Sequence, residues 1–266
     1  MQFIDFHTHV YPETIAAKAT AATCAFYDLT LAYTGTPEEK SKLDAENGIY
    51  KSVLLPVAVQ PKHVQSVNEF TRSTALRSPG FLPFGTVHAA DDALLPVAQG
   101  LLDNGFYGIK IHPDMQGFDI DDERLFPFYD FVQGKLPVIF HTGDPRYDRS
   151  HPAKLKRVLH EFPRLVVIAA HLGGWSFQET AFPLLKNEER CFVDTSSSIL
   201  YQTEEENMRY IRGYGTERVL FGSDFPMDDP VAQQKTLLSL PLTDGEKEMI
   251  ACRNAEYFIK TYCFGR

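Results

Sequence analysis

Two histidines one residue apart, His7 and His9, end an apolar run near the start of the chain, Phe3-Ile4-Asp5-Phe6-His7-Thr8-His9. In an extended segment alternate residues share a face, so Asp5, His7 and His9 point one way and Ile4 and Phe6 the other. Three further apolar runs also end in a polar group. They are Val138-Ile139-Phe140-His141-Thr142-Gly143, Ile168-Ala169-Ala170-His171-Leu172-Gly173-Gly174 and Leu220-Phe221-Gly222-Ser223-Asp224-Phe225-Pro226. Imidazoles and a carboxylate gathered away from water are costly unless something engages their lone pairs. A divalent cation does so. Neutral imidazole nitrogens and a carboxylate oxygen suit zinc, and also manganese or iron, with a position left open for water. Any one of these residues alone reads more simply as a hydrogen-bonded interior histidine; the ordered set points to a metal.

These strand ends need a scaffold that brings them together. Eight short β-rich apolar runs can be read: Phe3–Val10, Ile49–Val59, Phe81–Ala89, Tyr107–Pro113, Leu136–Gly143, Leu165–Gly173, Cys191–Ser197 and Val219–Pro226. After a first gap of about 48 residues they recur every 26 to 30, the length of a strand, a helix and two turns. Between runs five and six, Leu155, Val158, Leu159 and Phe162 repeat with helical spacing behind Pro152. Thr243 and Glu246 form a capping box for a C-terminal helix carrying Met249, Ile250, Phe258 and Ile259. Eight βα units predict an α/β fold, a (β/α)8 TIM barrel over residues 1–266 as one domain, with an open doubly wound sheet as the alternative. The polar groups then lie at the C-terminal mouth, where barrel active sites are built. The long first gap holds two helical stretches, Pro12–Leu29 and Thr36–Asn47. This insertion after strand one reads as a partial lid or as extra packing on the outside.

Charge and composition narrow the function. There are 26 basic and 35 acidic residues, a net charge of −9, which argues against a broad nucleic-acid surface. No apolar run has the length of a membrane span, and the first residues lack the pattern of a secretory leader. Four widely spaced cysteines without a CxxC pair read as reduced structural thiols in a cytoplasmic protein. Among the other histidines, His63 and His160 read as surface residues, whereas His88 and His112, near strand ends, are open to a pocket role.

The ordered motifs resemble the amidohydrolase superfamily over nearly the whole chain, and more narrowly its amidohydrolase-related branch, which also holds aromatic-acid decarboxylases and lactonases. The pieces that carry the resemblance are Ile4-Asp5-Phe6-His7-Thr8-His9, Gly108-Ile109-Lys110-Ile111-His112-Pro113, His141-Thr142-Gly143, Ala170-His171-Leu172-Gly173-Gly174, Phe221-Gly222-Ser223-Asp224-Phe225-Pro226 and Asn254-Ala255. Two related metal-barrel families fit less well. The polymerase-and-histidinol-phosphatase family pairs its late Asp with His where Phe225 stands, and TatD-like deoxyribonucleases carry a glutamate near the position of Lys110. The resemblance implies one metal ion, zinc first, held by His7, His9, His141 and Asp224, with His171 beside the water in one-metal members or itself a ligand in two-metal members.

The expected activity is hydrolysis of an ester, lactone, amide or phosphoester bond by metal-activated water, with Asp224 moving the proton and His171 orienting or polarising. The alternatives are non-oxidative decarboxylation of a small aromatic or unsaturated acid, and a barrel that binds a metal or acid without turnover. Asp5 reads either as fixing a ligand tautomer or as a group bonded to backbone. Lys110, inside the barrel by parity, is expected to stay cationic and bind a substrate anion; its other reading is a carbamylated bridge between two ions. Arg146, in the loop after His141, is expected to bind a carboxylate or phosphate together with Lys110 and His112. Its alternative is pairing with Asp144 to hold the loop. The partners expected are a small anionic substrate and a second copy of the chain, with no nucleic acid and no membrane.

Overall fold

Residues 1–263 are described by the computed structural model. The chain begins β1 (Phe3–Thr8), α1 (Glu13–Tyr27), α2 (Pro37–Glu46), β2 (Ile49–Leu54), α3 (Val64–Arg77), β3 (Phe81–Pro83), β4 (Gly85–Thr86) and α4 (Leu94–Asp103). It continues β5 (Ile109–Ile111), α5 (Pro113–Gln116), α6 (Phe126–Val132), β6 (Val138–Phe140), α7 (Pro152–Glu161), β7 (Val167–Ala169) and α8 (Gln178–Leu185). Then come β8 (Cys191–Asp194), α9 (Glu204–Tyr214), β9 (Val219–Leu220), α10 (Pro230–Ser239), α11 (Asp244–Glu248) and α12 (Asn254–Tyr262).

Every strand pairing is parallel, in two ladders, β1-β2-β3 and β4-β5-β6-β7-β8-β9. The third expected strand is thus cut in two at Phe84. Pro83 ends the first piece, and a proline cannot donate to a ladder. Phe84 N still donates to Leu54 O at 3.1 Å and Gly85 N to Gly108 O at 2.8 Å, so the wall continues. On the other side Phe6 N donates to Phe221 O at 2.8 Å and His9 N to Phe225 O at 2.7 Å. These bonds bring the last strand against the first, and the (β/α)8 barrel follows. The strands are shorter than the apolar runs because the last residues of each run leave the ladder to form the mouth.

Side chains alternate as the sequence requires. Ile139 and Ile168 join Ile4, Phe6, Val53, Phe84, Phe192 and Leu220 in one buried cluster inside the strands. Val138, Phe140, Val167 and Ala169 join a second between strands and helices. From α12, Phe258 packs edge-on against Phe6 and Phe192 at 5.4 and 4.8 Å, so the barrel interior is filled. The helical expectations hold at both places. Pro152, Leu155, Val158 and Leu159 are the buried residues of α7, and Thr243 and Glu246 cap α11 reciprocally. One wide turn at Met249–Arg253 separates α11 from α12. There the Ile250 carbonyl accepts a hydrogen bond from Phe221 N at 3.0 Å.

The insertion forms α1 and α2. Helix α2 carries a fully buried lysine. Lys40 Nζ lies 3.0 Å from Asp5 Oδ2 and 2.9 Å from Ser52 Oγ, and also bonds the Asp44 carboxylate. All four cysteines are free and three are buried. No helix among the described residues is long and apolar enough to cross a membrane.

Candidate functional site

The first and last strands meet where the polar residues cluster. His7 Nε2 lies 3.5 Å and His9 Nε2 3.3 Å from Asp224 Oδ1. Their donor atoms fall within 4.8 Å of one another. Ligand atoms 2.0–2.1 Å from an ion at tetrahedral angles sit about 3.3 Å apart, which the two imidazole-to-carboxylate distances match. The other carboxylate oxygen of Asp224 accepts from Ser197 Oγ at 2.6 Å, which leaves Oδ1 for the centre. Asp224 takes a left-handed backbone with φ 64°, and its N donates to His7 O at 2.8 Å. Such a conformation persists only where the surroundings fix it. Gly222 makes the approach possible, since a Cβ there would come within 2.9 Å of the His7 Cβ.

The outer ring nitrogens are occupied, and that sets the tautomers. His7 Nδ1 faces Asp194 Oδ2 at 2.9 Å, His9 Nδ1 faces Leu55 O at 2.6 Å, and His171 Nδ1 faces Ser196 O at 3.0 Å. With the proton held on Nδ1 by each acceptor, the Nε2 lone pair is presented inward. The role imagined for Asp5 therefore belongs to Asp194. Asp5 instead accepts from Ser223 N and Oγ at 2.8 and 2.6 Å and pairs with Lys40. Sequence reasoning missed Asp194, although it ends the run Cys191-Phe192-Val193-Asp194 as the histidines end theirs.

His141 and His171 lie beside this group. His141 Nδ1 is 3.0 Å from His171 Nε2, while His141 Nε2 is buried without a hydrogen-bond partner, 3.8 Å from Asp114 Oδ2. The structure thus brings His7, His9 and Asp224 to one point and sets His141 against His171. His112 stacks on His141 with ring centres 4.0 Å apart; its Nδ1 accepts from Met115 N, so its Nε2 donates a 2.6 Å hydrogen bond to the Tyr27 hydroxyl at the end of α1. Lys110 is fully buried, with Nζ 3.2 Å from His7 Nε2.

Burial pushes the imidazoles of His7, His112, His141 and His171 down, with Lys110 adding to the effect at each. All four are therefore neutral, the form that ligates metals. Burial lowers Lys110 to about 8 against the pull of Asp224 and Asp194. Burial would raise Asp224, but His7 and His9 outweigh it and hold its carboxyl well below the usual range. Asp114 is pushed up to about 6 by burial.

A cavity of about 530 Å³ opens above these groups and is lined by all of His7, His9, Lys110, His112, His141, His171 and Asp224. Helix α1 contributes its wall, which gives the insertion the position of a lid. Arg146 does not line the cavity. Its guanidinium grips Asp144 through two bonds of 2.9 and 2.6 Å, donates to Phe26 O at 2.5 Å and lies 5.5 Å from the Trp175 ring. In this structure Asp144 engages the fork that was expected to bind a substrate anion, as in the loop-holding alternative for Arg146. Arg149 does not pair with Asp148, whose carboxylate meets Lys154 at 2.7 Å. His88 accepts from Ala90 N and stays outside the cavity, whereas the exposed His63 stands on its wall.

Comparison with known proteins agrees with this architecture. An uncharacterized TIM-barrel protein of Bordetella bronchiseptica is similar at a TM-score of 0.82 and 21% identity, over 98% of this chain and 99% of that one. The 2,6-dihydroxybenzoate decarboxylase of Rhizobium is similar at a TM-score of 0.72 and 18% identity, over 98% and 99%. The 5-carboxyvanillate decarboxylase of Novosphingobium aromaticivorans, solved with manganese and 4-hydroxy-3-methoxy-5-nitrobenzoic acid, gives a TM-score of 0.74 and 17% identity, over 97% and 96%. No curated protein matches the sequence. The family model described as "Amidohydrolase" matches residues 4–260. The chain belongs to the amidohydrolase superfamily of metal-dependent enzymes.

Proposed function

We propose that the chain is a metal-dependent hydrolase of an ester, lactone, amide or phosphoester bond in a small molecule. One divalent ion, zinc before manganese or iron, is held by His7, His9 and Asp224, with His141 from the same floor as the fourth donor. The spacing of the three inward donor atoms, 3.3 and 3.5 Å to a single carboxylate oxygen, carries this reading. When bound, such an ion polarises a carbonyl or phosphoryl oxygen and acidifies water. The chain's own groups do the rest. Asp224, kept ionised by His7 and His9, accepts a proton and returns it to the leaving group. His171, with its outer nitrogen fixed by Ser196, orients the attacked group. Among the described residues, Lys110 is the only lysine or arginine on the cavity wall. As a cation it holds a negative oxygen of the substrate, with His112 beside it.

The second reading is non-oxidative decarboxylation of a small acid. It is favoured by the reactions named for the Rhizobium and Novosphingobium relatives, which share the fold over nearly their whole length. One experiment separates the two. Protein loaded in turn with zinc and manganese is assayed against esters, lactones, amides, phosphoesters and aromatic acids, with carbon dioxide and acid release measured in parallel. Release of a new carboxylate or phosphate without carbon dioxide supports hydrolysis. Carbon dioxide from an aromatic acid, with none of the hydrolysable compounds turned over, overturns it.

A further inference from the structure

We infer that the cavity above the floor is a binding site for an apolar, extended arm of the substrate, so that the molecule turned over is amphipathic: a polar head at the histidines and a hydrocarbon tail outward. This rests on the reading above that the floor is the reaction centre. Most of the polar groups sit on the floor, while the walls above are mainly hydrocarbon; His63 and Ser66 are exceptions, and the Ser66 hydroxyl is turned to His63 O at 3.1 Å. Ile15, Ala19 and Ala22 of α1 line one side and recur at i, i+4 and i+7, which is a single helix face. Across the space stand Val59, Val67 and Phe70, the latter two spaced i, i+3 on α3. Ile15 and Val59 are 49% and 48% exposed, so two bulky apolar side chains on this wall remain open to solvent. Thr23 and Thr71 also line it, but each hydroxyl donates to its own helix, to Ala19 O at 3.1 Å and Val67 O at 2.9 Å. Neither seeks a polar ligand.

Two apolar helix faces set apart by a cavity of about 530 Å³ bury nothing against each other, and a hydrocarbon placed between them gains on both sides. The alanines matter for shape. A larger residue at Ala19 or Ala22 would fill the space, whereas alanine leaves room beside the route to the floor. The occupant is the substrate itself, because the same continuous cavity contains Lys110, His171 and Asp224.

The probe is the series of linear carboxylic acids from two to ten carbons, titrated calorimetrically into zinc-loaded and metal-free protein. Each added methylene is expected to tighten binding by about threefold until the cavity is filled. In Ala22→Leu the gain should stop at a shorter chain, with short acids unaffected. Leucine is a good helix former and Ala22 is exposed, so the helix persists. A Val59→Asp variant, at an exposed position, should weaken only the long acids. Metal-dependent binding with no dependence on chain length would overturn the apolar site while leaving the metal floor standing. A chain-length gain that is identical with and without metal, with short acids never binding, would support the apolar site and overturn the reading of the floor beneath it.

Discussion

Replacing Lys40 by methionine should destabilise the protein severely, although α2 lies outside the barrel and touches no proposed ligand. Lys40 Nζ is fully buried between Asp5 Oδ2 at 3.0 Å and the Asp44 carboxylate, with Ser52 Oγ at 2.9 Å. Methionine preserves most of the volume, so the change removes the charge and leaves two carboxylates without their cation. Breaking a buried ion pair from one side costs about 3–5 kcal/mol. At about 2–4 °C per kcal/mol for a chain of this size class, the midpoint should fall by about 6–20 °C. The pH dependence identifies the cause. Burial, opposed by Lys40, holds the Asp44 carboxyl above its ordinary value. The folded state then binds more protons than the unfolded one, so this group's contribution rises as pH falls and is least favourable at neutrality. Without Lys40 the upward shift grows, and the deficit of the variant should be largest near pH 8 and shrink toward pH 5. Urea unfolding followed by fluorescence of the single tryptophan, Trp175, measures it. The double variant Lys40→Met/Asp44→Asn should recover a large part of the loss. A deficit below about 1 kcal/mol, equal at both pH values, would refute the argument.

His9→Ala should purify with its metal largely lost, as read by elemental analysis, because it removes one of the three inward donors; full occupancy would exclude this ligand set. Asp224→Asn should lower turnover by at least about a hundredfold, the scale of a lost general base, with the circular dichroism spectrum unchanged. Near wild-type activity in a metal-loaded sample would remove Asp224 from proton transfer. Arg146→Ala should cost about 1–3 kcal/mol of stability, because it leaves the fully buried Asp144 carboxylate without its guanidinium partner, and reduce kcat/KM by the same factor on an anionic substrate and its methyl ester. A selective loss on the anion would restore Arg146 as a substrate contact.

The strand-end histidines were legible because a polar residue closing an apolar run contradicts the run, and four such contradictions fall at one period. Asp194 obeys the same rule but is followed by Thr195, Ser196, Ser197 and Ser198, so its run reads as fading into a polar loop. Lys40 left no trace in the pattern. Helix α2, Pro-Glu-Glu-Lys-Ser-Lys-Leu-Asp-Ala-Glu, is polar on every side, and only the fold shows which of its charges faces Asp5. Arg146 could not be decided from its neighbours. Alternating acids and bases in Asp144–Arg149 fit both an anion clamp and a self-paired loop, and the choice depends on where the chain turns. Tyr27 was hidden differently, since its contact with His112 spans 85 residues and leaves no local spacing to read.

The hydrogen bonds that join the end of β1 to the segment after β9 have a consequence for how this protein is born. Asp224 N bonds His7 O and His9 N bonds Phe225 O, so residues proposed to hold the metal lie where the barrel closes. The proposed ion would bridge β1 and the segment after β9, contacting a histidine pair and a carboxylate made more than two hundred residues later. A growing chain therefore carries its histidine pair through most of synthesis without the partner that completes the set. On that proposal, ion capture follows closure of the barrel. A ligand that binds only the closed form stabilises that form in proportion to its concentration over its dissociation constant. If those residues hold the ion, metal supply during synthesis sets how much of the protein stays closed, and starvation for the ion is first felt as opening between β1 and the segment after β9.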